Sequence, residues 1–213
     1  LNIPAINKVF IIGLPRTGTT SICKKCLDFG FHVAHTAYTD KTFEFATVLA
    51  DTPMFADYKA LDLAYPNSKF VLLERELTDW LPSIKQLLQR MYENVTRTDG
   101  GFNPIIKRCY QQTFSPFTFD NINDDAFLSQ AYVKHQQEVL HYFNQQPSKL
   151  LSINIQQSNA VEELSKFLSI KTDTTHFEHL NKGGKVTAWK DIEHPKKVAS
   201  TRKGKATALP YSL

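Results

Sequence analysis

Apolar and polar positions along the chain alternate between short, unbroken apolar runs and longer stretches with helical spacing. The runs Val-Phe-Ile-Ile-Gly at 9–13 and Lys-Phe-Val-Leu-Leu-Glu at 69–74 lack polar alternation, which is the pattern of strands covered on both faces. Both are expected at the centre of a sheet. The full pattern predicts strands at 8–13, 31–35, 53–57 and 69–74, separated by helices at 19–29, 41–50 and 59–65 and followed by one at 78–92. Such a rhythm implies an α/β fold, a three-layer parallel sheet flanked by helices in a single domain. From Thr96 to Asn123 the chain turns aromatic and irregular. A helix near 125–145, a strand at 149–155 and a helix at 159–169 follow, the last with Glu162 in a first turn that complements the helix dipole. Beyond Thr172 periodicity fades, and the tail reads as a draped loop.

Composition adds little to that picture until charge is located. At 213 residues, 42% hydrophobic and 22% charged, the chain is long enough for one sizeable core and is of ordinary soluble composition. The net charge of +4 is concentrated: eight Lys or Arg lie between Lys182 and Lys205, against Asp191 and Glu193. A basic tail of this kind is a solvated face or a partner for an anionic ligand. Cys23, Cys26 and Cys109 form no even framework and no second pair for zinc, so they read as reduced thiols. The longest apolar run, Val9 to Leu14, is too short to span a bilayer, which makes the cytoplasm the default compartment. A start at Leu1 instead of Met leaves room for a removed upstream anchor or signal, in which case Asn94-Val95-Thr96 is a glycosylation sequon.

The chemistry begins at Gly13-Leu-Pro-Arg-Thr-Gly-Thr-Thr20, between an apolar strand and the start of a helix. Successive backbone N–H groups in such a turn form an anion-binding nest, and the helix N-terminus adds positive partial charge. The glycine spacing is that of a nucleotide phosphate loop, but Thr19 stands where ATP and GTP enzymes place a lysine. The buried run at 69–74 ends in Glu74 followed directly by Arg75, so a cation sits beside the place where those enzymes hold magnesium.

Taken together, "GLPRTGTTS" and "SKFVLLERELTDWLPS" resemble the two cofactor-binding signatures of the sulfotransferases, which use 3′-phosphoadenosine 5′-phosphosulfate (PAPS). The resemblance covers 8–35 and 50–90, and "LLSINI" with "AVEELSKFLSI" is similar to the closing strand and helix of the bacterial and membrane-type members. It implies a fold like that of the phosphate-loop NTPases. It also implies that Pro15, Arg16, Thr17, Gly18, Thr19, Thr20 and Ser21 grip the 5′-phosphosulfate. Arg75, closing a strand, and Ser83, eight residues later, would grip the 3′-phosphate. A planar guanidinium and a hydroxyl two helical turns on suit one phosphate. Arg16 replaces the lysine of many cytosolic members, and "RELTDW" lacks the Asp-Pro that commonly follows the Arg in bacterial ones. A C-terminal glycine-basic loop closes the site in the family, and Arg202, Lys203 and Gly204 are its candidates here, ahead of "NKGGKVTAWK".

The implied reaction is in-line sulfuryl transfer to a hydroxyl or amine of a small-molecule, carbohydrate or lipid acceptor, leaving adenosine 3′,5′-bisphosphate and needing no metal. Arg16 would stabilise charge on the oxygen bridging sulfur and phosphorus. In the family the base is a His or carboxylate at or just beyond the strand before the Arg-bearing one. By that rule Asp57, closing "TPMFAD", is a candidate, with Asp51 nearby. His35, ending "FHVAH" beside the loop, is the other, and its ordinary pKa of about 6.5 suits proton transfer. The expected layout is a cofactor core at 8–90, acceptor-site helices and loops at 92–147 with Tyr92, Phe102, Tyr110, Phe114, Phe117 and Phe119 around the acceptor, and a basic closing segment at 172–213. A phosphate-loop kinase, a nucleic-acid-binding module and a non-catalytic PAPS-binding relative are the alternatives; the nucleic-acid module leaves Arg75 and Ser83 without a role.

Overall fold

In the computed structural model, residues 8–178, 180, 188–201 and 208–213 are described. Five parallel strands, β1 (Val9–Ile11), β2 (Val33–Ala34), β3 (Val48–Ala50), β4 (Lys69–Glu74) and β5 (Leu150–Asn154), form one sheet in the order β2-β3-β1-β4-β5. Strand periodicity assigns neighbouring residues to opposite layers, and both layers are dry. Val9, Ile11, Val71 and Leu73 face one core with α1 (Thr19–Asp28) and, near the end of the chain, α8 (Ala160–Phe167). Phe10, Ile12, Phe70 and Leu72 face the other, with α2 (Asp40–Phe45), α3 (Met54–Ala64) and α7 (Asp125–Phe143). This is the three-layer α/β arrangement expected, with β1 and β4 inside it.

A third apolar cluster lies beyond the carboxyl ends of the strands. It joins α3 to α4 (Leu77–Thr96), α5 (Pro104–Thr113), α6 (Phe119–Asn123) and α7 around Phe55, Trp80, Ile84, Leu88, Cys109 and Phe114. Trp80, Ile84 and Leu88 recur at helical spacing and bury one stripe of α4, leaving the neighbouring stripe to face the strand ends. Among the described residues no helix is long and apolar enough to cross a membrane.

Several elements differ from the sequence reading. The expected helix at 41–50 is the shorter α2 followed by β3, whose three residues give too little length for a strand period to show. The expected strand at 53–57 and helix at 59–65 are one helix, α3, whose dihedrals depart from helical values at Asp57 (φ −105°, ψ 15°). The irregular stretch at 96–123 contains α5 and α6: Asn103 Oδ1 caps Ile105 N at 2.8 Å with Pro104 in the first turn, and Thr118 Oγ1 accepts from Asn121 N at 3.2 Å. The tail is more than a draped loop. After α9 (Ala188–Asp191), residues 196–198 pair with the outer edge of β2, Val198 N donating to Val33 O at 2.8 Å and Val33 N to Lys196 O at 3.0 Å.

Candidate functional site

The loop leaving β1 reaches α1 by a path that only small or unusual residues allow. A Cβ on Gly13 would stand 2.5 Å from Leu73 Cβ and 2.9 Å from Leu73 N, so the chain crosses β4 there without room for a side chain. Gly18, at φ 108°, turns into α1, and Arg16 adopts φ 73°. The loop's carbonyls are tied from within and from outside: Thr17 Oγ1 donates to Leu14 O at 2.7 Å, while Trp80 Nε1 donates to Pro15 O at 2.9 Å and Arg75 Nη1 to Arg16 O at 2.7 Å. The first turn of α1 carries no acidic residue and Gly18 makes no side-chain cap. N–H groups of a first turn have no intrahelical acceptor, so this end of α1 is suited to an anion.

The loop forms one wall of a cavity of about 490 Å³. Pro15, Arg16, Thr17, Gly18, Thr19, Thr20 and Ser21 line it, and the structure brings Arg75, Ser83 and His35 to the same space. Arg16 Nε donates to Ser83 Oγ at 2.7 Å, so loop and α4 meet across the cleft. Burial lowers the Arg16 pKa, and the charges of Arg75 and Arg90 push it the same way. Cations crowded in this manner are relieved by a bound anion.

At the inner end stand His35, just after β2, and Asp51, just after β3. His35 Nε2 lies 3.2 Å from Thr19 Oγ1 and 3.1 Å from Thr20 Oγ1, while Thr19 Oγ1 donates to Asp51 Oδ2 at 3.4 Å. His35 and Asp51 themselves are 4.0 Å apart, with side chains only 16% and 14% exposed. Burial lowers the His35 pKa, Asp51 opposes the shift and Lys197 reinforces it. The imidazole is thereby kept neutral and able to accept a proton near neutral pH. Tyr110 lines the same end, its phenol held protonated chiefly by burial.

Asp57 is not among the residues lining the cavity. Its carboxylate takes Arg108 Nη1 at 2.8 Å and Nη2 at 2.6 Å and the Tyr211 hydroxyl at 2.9 Å, leaving the side chain 2% exposed. Arg202, Lys203 and Gly204 lie outside the described residues. Of the aromatic set expected around the acceptor, Tyr110 lines the cavity; Phe114 is fully buried in the helical cluster, and Tyr92 packs on Phe117 and Phe119. Sequence reasoning missed Asn154 at the end of β5 with Ile155 and Gln156 after it, Gln86 and Leu87 on α4, and Leu180. The residues after β5 could have been found from the rule that open α/β sheets bind ligands at the carboxyl ends of their strands.

Glu74, the acid closing β4, is bonded by Ser152 Oγ and is not part of the cavity lining. The family signature described as a sulfotransferase domain matches residues 36–186, a span that begins after the phosphate loop and contains Arg75, Ser83 and Asp51. No curated protein sequence matches the chain. With well over half of its length inside that signature, and with an α/β sheet that carries a glycine loop, an arginine and a serine to one cleft, the chain belongs to the sulfotransferase family.

Proposed function

We propose that this sulfotransferase takes its sulfuryl group from PAPS and passes it, in line, to a hydroxyl or amine of a small-molecule, carbohydrate or lipid acceptor. PAPS, when bound, supplies the activated sulfuryl group. The observation that carries the reading is that Arg75 and Ser83, about 60 residues beyond the phosphate loop in sequence, line the same cavity as the loop. Two anion sites on one cleft suit a nucleotide phosphorylated at both ends, and the crowded guanidinium groups of Arg16 and Arg75 supply its counter-charge. The amides at the start of α1 and Arg16 would hold the 5′ end; Arg75 and Ser83 would hold the 3′-phosphate.

His35 is the proposed base. Its Nε2 faces the threonines that open α1, its ring is kept neutral, and Asp51, reached through Thr19, favours the imidazolium formed when the acceptor's proton arrives. Asp57, bonded to Arg108 and Tyr211, is assigned a structural role instead. Arg16 would meet the charge that develops on the departing phosphate oxygen.

One observation favours a second reading. Asp51 follows a strand next to β1 and stands 3.4 Å from a loop threonine, where a phosphate-loop kinase would hold magnesium. Calorimetry separates the two. Adenosine 3′,5′-bisphosphate should bind and ATP with magnesium should not. Arg75→Ala and Ser83→Ala should each weaken binding, the former by about 10- to 100-fold because a charged hydrogen-bond donor is lost. Tighter binding of ATP with magnesium, or indifference to both substitutions, refutes the proposal.

A further inference from the structure

His35 has a second neighbour that is remote in sequence. The indole of Trp189, on α9, lies against the imidazole at 5.5 Å between ring centroids, with the planes 29° apart. Trp189 is itself fixed from behind. Lys197 Nζ sits 5.1 Å from the centre of its ring and donates to Ile192 O at 2.7 Å and to Trp189 O at 2.5 Å. Lys197 is held in turn by the zipper between 196–198 and the outer edge of β2. The zipper continues past His35: Tyr38 N donates to Ser200 O at 3.0 Å, and Thr42 Oγ1 donates to Ser200 O at 2.7 Å. The stretch of chain that carries His35 is thus bordered by the C-terminal segment on both sides of the histidine.

We propose that Trp189 is a positioning residue for sulfuryl transfer: its indole closes the back of the His35 ring and fixes the face that Nε2 presents to Thr19 and Thr20. This rests on the assignment of His35 as the base. An imidazole just past the end of a two-residue edge strand has little to hold its ring plane apart from Thr19 and Thr20 at Nε2, and those hydroxyls also belong to the phosphate loop. A flat aromatic wall fixes the ring without competing for the nitrogen that must take the proton. It also excludes water, in keeping with the lowered pKa of His35. The charged and polar groups facing the ring are Thr19 and Thr20 from α1, Asp51 from the end of β3 and Lys197 from the C-terminal segment.

The test uses the full chain as wild type, Trp189→Ala, Trp189→Phe and, for assignment of the resonance, His35→Gln. The His35 imidazole is titrated by NMR, and donor affinity is measured with adenosine 3′,5′-bisphosphate. In Trp189→Ala the His35 titration should move up toward the ordinary imidazole value as water reaches the ring, and Trp189→Phe should hold it near that of wild type. In transfer assays Trp189→Ala should lower kcat by about 10- to 100-fold and shift the acid limb of the pH–rate profile upward, with donor affinity within about twofold of wild type. If Trp189→Ala does not fold, Trp189→Leu, which keeps the apolar contact but not the flat ring, is read in its place. An unchanged His35 titration in the variant overturns the inference whatever the activity. A shifted titration in Trp189→Ala together with undiminished sulfuryl transfer by His35→Gln leaves the ring contact established and refutes the role of His35 as base instead.

Discussion

Asp57→Asn separates what the sequence favours from what the structure assigns. Sequence reasoning places Asp57 among the candidate bases, whereas the structure spends both carboxylate oxygens on Arg108 and Tyr211. Asparagine keeps the shape and one acceptor oxygen but loses the charge and replaces the other oxygen with a donor that opposes Arg108. Removing one member of a buried ion pair costs about 3–5 kcal/mol when the remaining charge is stranded. Arg108 is 30% exposed on its side chain, so part of its charge stays hydrated, and the expected loss falls to about 2–3 kcal/mol. For a chain of this size each kcal/mol lowers Tm by about 2–4 °C, so Asp57→Asn should melt about 5–10 °C below wild type. Combining it with Arg108→Gln should add little, because the partner of the stranded charge is then gone. Thermal unfolding followed by circular dichroism reads the loss, and calorimetry at a temperature where both proteins are folded should find the affinity for adenosine 3′,5′-bisphosphate unchanged. A variant that melts within about 1 °C of wild type but has lost sulfuryl transfer by about 1000-fold refutes the reasoning and makes Asp57 the base.

Two further consequences are open to direct measurement. His135 on α7 donates through Nε2 to Phe55 O at 3.0 Å and leaves Nδ1 buried without a partner among the described residues, and burial lowers its pKa to about 4. The unfolded chain takes this proton first, so stability present above about pH 6.5 should be lost as pH falls from there to about 4, by about 3 kcal/mol in all. Urea unfolding at pH 7 and pH 4.5 should show a smaller difference in His135→Gln than in wild type, a comparison in which the parallel titration of His35 cancels; equal differences would remove His135 as the cause. Gly13→Ala places a methyl group 2.5 Å from Leu73 Cβ and 2.7 Å from Thr17 Oγ1, so β1 and β4 must part where the phosphate loop begins. It should cost about 1–3 kcal/mol in urea unfolding and weaken nucleotide binding as well, and full retention of both would mean that the loop does not need its close approach to β4.

The parts of the molecule legible in the sequence are those whose signal is local. β1, α1, β4 and α4 carry a long apolar run or a helical stripe, and the glycine loop between β1 and α1 is a short motif with its context on either side. Arg75 and Ser83 were readable for the same reason, since a strand end and one helix set their separation. β3 was not, because three residues hold no period, and the apolar residues Met54, Phe55 and Ala56 of the next helix imitate a strand. The start of α5 was present as Asn103-Pro104 but is masked by the glycines and aromatics around it. Long-range partnerships leave no such trace: Asp57 finds Arg108 and Tyr211, and His35 finds Trp189, through folding of segments far apart in the chain.

Thr19, which stands where ATP and GTP enzymes place a lysine, takes on a further meaning once the neighbours of that position are known. Thr19 Oγ1 lies within 3.4 Å of Asp51 and 3.2 Å of His35. An ammonium group at this position would pair with Asp51 and repel a proton from His35, which already has Lys197 acting against its charged form. A hydroxyl does neither: it can accept from a protonated imidazole while donating to the carboxylate, and so links the two. The loop's cation is Arg16, whose Nε donates to Ser83 Oγ at 2.7 Å. On the proposed chemistry, charge stabilisation and proton acceptance are thereby assigned to opposite ends of one short loop, where they do not neutralise each other.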